Sequence, residues 1–129
     1  MSIVVSDTSP LRALHHLDLL RLLGQLFDQI FVPPTVLREL EQPPSRFAPV
    51  LISQFNFIEV RAPQDTAQVQ QFLQLLDSGE SEALALALEI GAEAVLIDEL
   101  IGRSVAVDHG LPVIGTWGFF RAQKRRGIS

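Results

Sequence analysis

The stretch from Asp77 to Glu99 constrains the fold most, because it predicts a helix, a turn and a buried strand in close succession. Residues 83–88 alternate alanine with leucine, and both are strong helix formers, so a helix is favoured over a strand. Asp77, or the serine after it, can cap this helix, Glu80 can complete a capping box, and Gly91 can end it. The segment therefore has acidic residues where its helix begins and where its strand ends.

The apolar run Ala94–Ile97 that follows is typical of a strand buried in a parallel sheet. Side chains just past the carboxyl ends of such strands line the ligand crevice, and Asp98 has this position. The same arrangement occurs near the start of the chain, where Asp7 follows the apolar strand Ile3–Ser6. We therefore expect both acids at the same edge of one sheet.

The rest of the chain alternates predicted strands and helices. Further strands are expected at residues 29–32, 57–60 and 112–114. Helices are expected from about residue 8, over 17–26, from 33 to about 42, around 48–53, from 63 through 76, from 99 to about 109, and over 117–126. Strands separated by helices imply right-handed crossovers and helices on both faces, so the expected fold class is α/β with a parallel sheet of four to five strands.

Composition narrows the class of protein. The 129 residues fit a single domain over 1–129, with enough length for a hydrophobic core. The absence of cysteine excludes thiolate metal sites and cysteine nucleophiles and is typical of a reducing cytoplasm. No leader or membrane-spanning apolar run is recognised, so we expect a cytoplasmic protein with no membrane partner. The net charge of −5 argues against a generic nucleic-acid coating protein but is compatible with acids gathered at a metal site.

Several acids converge if the strands that end at Asp7 and Asp98 are neighbours. Glu39 lies on a helix that directly follows another strand, and Glu80 or Glu82 begins the helix before Asp98. Hard oxygen ligands of this kind suit Mg²⁺ or Mn²⁺, and a cation would relieve the repulsion among close carboxylates. Glu80 and Glu82 lie roughly 200° apart around a helix, so only one of them is expected at such a site.

Each acid also has a structural interpretation. Asp7 and Asp98 can cap the helices that follow them, and Glu39 can be a solvated charge on a helix. Glu80 can serve only the capping box, and Glu82 can simply favour the helix dipole. These interpretations stay open at the level of the sequence.

Two other classes of acidic α/β protein are excluded, because residues that their chemistry requires are absent. A response-regulator receiver domain needs an acidic pair after its first strand and a lysine after its last, whereas here Asp7 stands alone and Gly115 and Thr116 follow the last strand. A haloacid-dehalogenase-type phosphatase needs Asp-x-Asp after its first strand, and Asp7 has a serine two residues later.

The order of five motifs resembles the PIN-domain nucleases, most closely the PIN-like subgroup DUF3368. The motifs are VVSDTSPLRAL, IFVPPTVLREL, GESEALALALEIGA, LIDE and GLPVIGTWGFFRAQKRRG, and they span nearly the whole chain. The resemblance implies a three-layer α/β/α domain and a Mg²⁺- or Mn²⁺-dependent endoribonuclease that hydrolyses RNA phosphodiester bonds. It also implies a toxin–antitoxin pair, because many family members are toxins. The alternative is a degenerate, non-catalytic PIN-like interaction or RNA-binding module.

The resemblance also assigns residues to the site. The four acids that match the family's catalytic positions are Asp7, Glu39, Glu80 and Asp98. The expected metal ligands are these four together with Glu82, and the family spacing favours Glu80 narrowly over Glu82. Leu96 stands where many catalytic members carry threonine or serine.

Candidates for contacts with the RNA substrate are Ser9, Arg103, Lys124 and Arg125. Ser9 can position a phosphate or can cap a helix, and the basic residues near the end of the chain can contact phosphates or complement a helix dipole. Arg103 has the spacing of an ion pair with Glu99. Trp117 can stack on a base, although packing explains it more simply. The three histidines lack metal spacing and are interpreted as surface or loop residues.

An antitoxin protein and a second copy of the chain are the expected protein partners. The first helical region is so rich in leucine that it predicts more apolar surface than one helix stripe buries. These leucines are Leu11, Leu14, Leu17, Leu19, Leu20, Leu22, Leu23 and Leu26. We therefore expect a homodimer, which is common in the resembled family.

Overall fold

A five-stranded, all-parallel sheet in the order β3-β2-β1-β4-β5 organises the protein, in a computed structural model that describes residues 2–116 and 118. The strands are β1 (Ile3–Ser6), β2 (Gln29–Val32), β3 (Ile58–Val60), β4 (Ala94–Leu96) and β5 (Val113–Ile114). All five lie within one residue of the strands predicted from the sequence. Short apolar runs separated by helices are therefore enough to locate this sheet.

Six helices are described around the sheet. They are α1 (Thr8–His16), α2 (Leu23–Leu26), α3 (Pro34–Glu41), α4 (Thr66–Phe72), α5 (Ser78–Ile90) and α6 (Leu100–Asp108). Two 3₁₀ helices cover Leu20–Leu22 and Ile52–Gln54. Among the described residues, no helix is both long and apolar enough to cross a membrane.

Alternate residues of the strands bury opposite faces of the sheet. Val4 and Leu96 belong to one apolar cluster, which α1, α2 and α3 complete. Val5 and Val95 belong to the other, which α4, α5 and α6 complete. Because side chains alternate along a strand, one short sheet supports a helical layer on each face. The expected three-layer α/β/α fold is confirmed.

The central pair of strands is β1 and β4. Ser6 lies opposite Leu96 in the parallel ladder, and the Asp7 N–H donates to the Leu96 carbonyl at 3.0 Å, which extends the ladder by one bond. The two strands therefore end together. The expectation that the strands before Asp7 and Asp98 are neighbours is confirmed.

Helix α5 begins and ends as the sequence predicts. The Asp77 side chain accepts from the Glu80 N–H at 2.8 Å, and the Glu80 side chain accepts in return from the Asp77 N–H at 3.2 Å. Gly91 follows the last turn with a φ of 64°, in the left-handed region that glycine adopts without steric cost.

Three helix predictions are wrong in extent. The helix expected over 17–26 is broken, because α1 ends at His16, Asp18 turns with a φ of 64°, and a 3₁₀ turn precedes α2. The helix expected through residue 76 ends at Phe72, and the one expected around 48–53 is a 3₁₀ turn at Ile52–Gln54. The final helix over 117–126 lies outside the described residues, except for one position.

The broken second helix changes the interpretation of its leucines. Five of the eight are buried inside the protein: Leu11, Leu14, Leu20, Leu23 and Leu26. Leu17 is half exposed, and Leu19 and Leu22 are partly buried against the same cluster. Turning the chain at Asp18 lets two short helical pieces pack on one face of the sheet, so the leucines supply far less free apolar surface than expected.

We predict that Gly91→Ala lowers the free energy of unfolding by about 1 kcal/mol, because an L-residue in the left-handed region is strained. No atom lies within 4 Å of an added Cβ, so the cost is conformational and not a clash. Gly91→Asn should lose less, since asparagine tolerates this region. Urea unfolding of the three proteins checks the order, and equal stability of the alanine and asparagine variants would contradict it.

Candidate metal centre

Asp7 lies at the carboxyl end of β1 and is almost completely buried, with 7% of its surface exposed. It occupies the N-cap position of α1, but its side chain makes no cap hydrogen bond. Burial raises the pKa of Asp7 to about 7; the nearby Thr8 N–H opposes this in part, and the charges of Asp77, Glu39 and Asp98 add to it. Helix capping therefore does not explain this carboxylate.

Glu39 approaches the same region from α3. The Thr8 hydroxyl donates to Glu39 Oε1 at 2.5 Å, which fixes the Glu39 carboxylate beside the start of α1. A turn at Pro33 begins α3 directly after β2, with Pro34 in the first helical turn, where a missing N–H costs nothing. The strand-to-helix turn thus carries Glu39 to the edge where Asp7 lies.

Gly79 at the start of α5 separates these two acids. A Cβ added there would lie 2.9 Å from Glu39 Oε1 and 3.2 Å from Asp7 Oδ1. Both carboxylate oxygens therefore face one small space that any larger residue would fill. The missing side chain keeps this space open.

Glu80 is 5% exposed, and its two carboxylate oxygens have different surroundings. Oε1 accepts the capping-box bond, whereas Oε2 is buried without a hydrogen-bond partner, 3.0 Å from where a Cβ on Gly102 would lie. Burial raises the pKa of Glu80 well above its usual value, and the carboxylates of Asp77, Glu99 and Asp7 act in the same direction. A buried oxygen without a partner is costly, so a cation or a proton is needed there.

Asp98 closes the edge on the other side. Its oxygens accept from the Thr116 N–H at 2.7 Å and from the Thr116 hydroxyl at 2.6 Å. The cap of α6 is Glu99, which accepts from the N–H groups of residues 101 and 102, so capping does not explain Asp98 either. The predicted Glu99–Arg103 ion pair is wrong, because Glu99 is engaged as a cap and the ion pair found in the described part of the chain is Arg61–Glu59.

Glu82 lies elsewhere. Its carboxylate accepts hydrogen bonds from the Thr35 N–H and the Thr35 hydroxyl, at the start of α3. Arg38 donates to the same hydroxyl at 2.9 Å. Glu80, by contrast, is near enough to Asp7 for their charges to interact. The two glutamates thus point to different neighbours, as their spacing on α5 requires.

Two of the residues predicted to contact substrate, Ser9 and Arg103, lie in different places. Ser9 is exposed and lines a cavity beside α1. An Arg103 guanidinium nitrogen lies 3.7 Å from where a Cβ on Gly115 would be, and Asp98 Oδ1 lies 3.0 Å from the same point. Lys124 and Arg125 lie outside the described residues, as does Trp117.

Sequence reasoning missed three residues that shape this edge. Thr8 and Thr116 hold Glu39 and Asp98, and Gly79 provides the space between two acids. The sequence positions of both threonines could have predicted this, because Thr8 follows Asp7 directly and Thr116 follows the strand beside β4. Gly79 has no such signal, since a glycine near a helix start is unremarkable.

The chemistry of these donors fits a hard divalent cation. All are carboxylate oxygens, one of them has no partner, and Gly79 leaves room between two others. Within residues 2–116 and 118, however, no group of three or more His, Asp or Glu side chains is close enough to hold an ion. Glu39 and Asp98 are instead bonded to threonine hydroxyls, so these carboxylates would have to exchange partners on binding.

Comparison with known families agrees with the fold. A family model described as DUF3368, PIN domain, matches residues 3–129. The chain belongs to the PIN-domain family. The predicted resemblance is thereby confirmed, and a PIN domain has a nuclease-like fold, consistent with a hydrolase in general. PIN domains typically use divalent metal ions. None of the curated proteins compared with the chain matches it.

The raised pKa of Asp7 has a consequence for stability. The unfolded chain releases this proton near pH 3.8, whereas the folded protein keeps it up to about pH 7. Between these values the folded state binds more protons, so the free energy of unfolding falls as the pH rises and levels off above the folded pKa.

We therefore predict that Asp7→Asn makes this pH dependence shallower and stabilises the metal-free protein above pH 7, by about 1.4 kcal/mol for each pKa unit that Asp7 is shifted. Urea unfolding in EDTA across this pH range measures the effect. The exposed control Glu93→Gln should keep the wild-type slope. If the free energy of unfolding of Asp7→Asn and of wild type changes with pH in the same way, the pKa of Asp7 is not raised in the folded protein.

We predict that Gly79→Ala weakens Mn²⁺ binding roughly tenfold or more, because its Cβ displaces the carboxylates around this space. The melting temperature should change little, since alanine favours the helix and a flexible glutamate end can move. Ser78→Ala, one residue earlier on the same helix, is the matched control. Calorimetric titration with Mn²⁺ measures both variants, and unchanged affinity in Gly79→Ala would place the ion elsewhere.

Proposed function

We propose that this protein is a Mg²⁺- or Mn²⁺-dependent endoribonuclease that hydrolyses RNA phosphodiester bonds. The observation that best supports the proposal is the surroundings of Asp7, a buried carboxylate that interacts with the charges of Glu39 and Asp98. These acids lie past the carboxyl ends of parallel strands, which is where ligands of such sheets bind. Membership of the PIN-domain family supplies the nuclease-like fold.

The residues that would hold the ion are Asp7, Glu39, Glu80 and Asp98. A bound divalent cation would activate water for attack on phosphorus and offset the charge that develops on the phosphate oxygens. In the protein itself, Thr8 and Thr116 orient the Glu39 and Asp98 carboxylates before an ion arrives. On binding, these carboxylates would exchange the threonine hydroxyls for the ion.

Asp7 and Glu80 have a different part in this mechanism. Both carboxyl groups hold protons more tightly than usual, because they are buried among other acids. A cation that binds there must displace protons, so metal affinity should rise with pH around neutrality. Arg103, close to Asp98, is proposed to contact a phosphate of the substrate.

The alternative is a degenerate, non-catalytic PIN-like module that binds RNA or another macromolecule. One observation favours it: within the described part of the chain, no three candidate ligands lie close enough together for an ion. In this alternative, Glu39 and Asp98 keep their hydrogen bonds to Thr8 and Thr116 and bind no ion. Metal affinity separates the two functions.

We propose that the biological setting is a toxin–antitoxin pair in the cytoplasm, with residues 1–129 forming a single domain that pairs with a second copy of itself. The buried leucines no longer support a dimer interface at the first helical region. The exposed apolar residues of α6, Leu100, Ile101 and Val107, are a better candidate for contact with a second copy or with an antitoxin.

We predict that Asp7→Asn and Asp98→Asn abolish both Mn²⁺-dependent stabilisation and cleavage of single-stranded RNA. In wild type, an ion at 100 times its dissociation constant should add about 2.7 kcal/mol to the free energy of unfolding. In metal-free buffer both variants should melt at or above the wild-type temperature, because repulsion among the acids decreases. Thermal unfolding with and without Mn²⁺, together with an RNA cleavage assay, measures these effects.

Glu80→Gln and Glu82→Gln form a matched pair two residues apart. Only Glu80→Gln should lose the response to Mn²⁺, because the Glu82 side chain bonds to Thr35 and a glutamine oxygen can still accept there. If wild-type protein neither gains stability from Mn²⁺ nor cleaves RNA, the non-catalytic module replaces the nuclease.

A further inference from the structure

A second feature lies on α1, on the side of the helix away from its acidic start. A cavity of about 420 Å³ opens there, lined mainly by Arg12, His15, His16, Arg46 and Phe47. This volume is in the range of pockets that hold small ligands. In a chain with a net charge of −5, such a concentration of basic and aromatic side chains is unusual.

The guanidinium groups in this cavity are stacked on an aromatic ring. The Arg12 guanidinium carbon lies 4.3 Å from the centre of the Phe47 ring, and that of Arg46 lies 4.8 Å from it. Neither arginine is within ion-pair distance of a carboxylate of residues 2–116, where the pair found is Arg61–Glu59. The cavity therefore presents two positive charges that the described acids do not neutralise.

Arg12 is held in place and is also incompletely satisfied. One terminal nitrogen donates to the Glu39 carbonyl at 2.9 Å, which anchors the guanidinium to the backbone of α3. Its Nε is buried and has no hydrogen-bond partner among the described residues. A buried donor without a partner costs free energy, so the anchoring of Arg12 leaves part of its hydrogen-bonding capacity unused.

We propose that this cavity binds one nucleotide of a single-stranded RNA, next to the bond that the acidic edge would cleave. The phosphate lies on Arg12 and Arg46, and the base packs against the guanidinium planes and Phe47, which are the usual surfaces for unstacked bases. This inference rests on the proposed function, because it names how the substrate is held.

The position of the cavity favours RNA over an acidic peptide. Arg12 lies five residues after Asp7 along α1, roughly 7 to 8 Å by the helix rise, so one strand can reach both places. Arg12 also contacts the backbone of Glu39, whose carboxylate belongs to the acidic edge. A peptide carboxylate can satisfy the arginines, but it does not use the flat stacking surface.

The test measures binding of a short fluorescein-labelled single-stranded RNA by anisotropy, in EDTA and at several salt concentrations. Arg46→Ala should weaken binding roughly fivefold or more and lower the slope of log affinity against log salt by about one, as expected for one lost phosphate contact. Arg46 is exposed and makes no hydrogen bond among those described, so the variant should fold normally. Its melting temperature confirms this.

Arg61→Ala is the matched control. Arg61 is also exposed and lies over an aromatic ring, 4.2 Å from the centre of Phe31, but it is paired with Glu59 and is not among the residues that line the cavity. Arg61→Ala removes one positive charge and one arginine–aromatic contact, as Arg46→Ala does. RNA affinity should nevertheless stay at the wild-type value, because Arg61 does not line the cavity. A second variant, Phe47→Leu, keeps apolar packing and should weaken binding with no change in the salt slope.

Equal RNA affinity of Arg46→Ala and Arg61→Ala would overturn the proposal, as would the absence of RNA binding by wild type. A poly-glutamate peptide that binds in an Arg46-dependent way, in place of RNA, would also overturn it. Because EDTA prevents metal-dependent cleavage, the two proposals fail separately. Arg46-dependent binding without Mn²⁺-dependent cleavage overturns the nuclease alone, and cleavage with unchanged affinity in Arg46→Ala overturns the cavity alone.

Discussion

The parallel pairing of β1 with β4 is the interaction on which the acidic edge depends. Its register places Ser6 opposite Leu96, and the hydrogen bond from the Asp7 N–H to the Leu96 carbonyl carries the pairing to the end of both strands. Asp7 and Asp98 therefore leave the sheet within one residue of the same level, although they are far apart in sequence. Glu39 and Glu80 reach this edge from helices α3 and α5, and Thr116 reaches it from the end of β5.

Gathering carboxylates at a buried edge opposes folding, and local features of the chain reduce that cost. Asp7 keeps its proton up to about pH 7, and the pKa of Glu80 is raised in the same way, so both groups can be uncharged near neutral pH. Hydroxyl donors stabilise Glu39 and Asp98, which are less buried. A stable fold alone would not require such an arrangement, so the perturbed carboxylates mark this edge as a candidate functional site.

Helix α1 connects this edge to a region of opposite charge. Its first residues carry Asp7 and Thr8, and its later turns carry Arg12 and the histidines of the cavity. Arg12 donates to the carbonyl of Glu39, so one hydrogen bond joins the two regions. The start of α1 is therefore acidic and its later part is basic.

The sequence by itself determined the strands, the fold class and the family, because short apolar runs and capping signals act locally. It could not determine the left-handed turn at Asp18 or the 3₁₀ turn before α2, since packing of two leucine-rich pieces on the sheet overrides their helix propensity. Nor could it determine that Glu82 bonds to Thr35 while Glu80 turns toward Asp7, or that Gly79 separates two carboxylates. Those relationships join residues distant in the chain, so only the tertiary packing of α3 and α5 against the β1–β4 pair decided them.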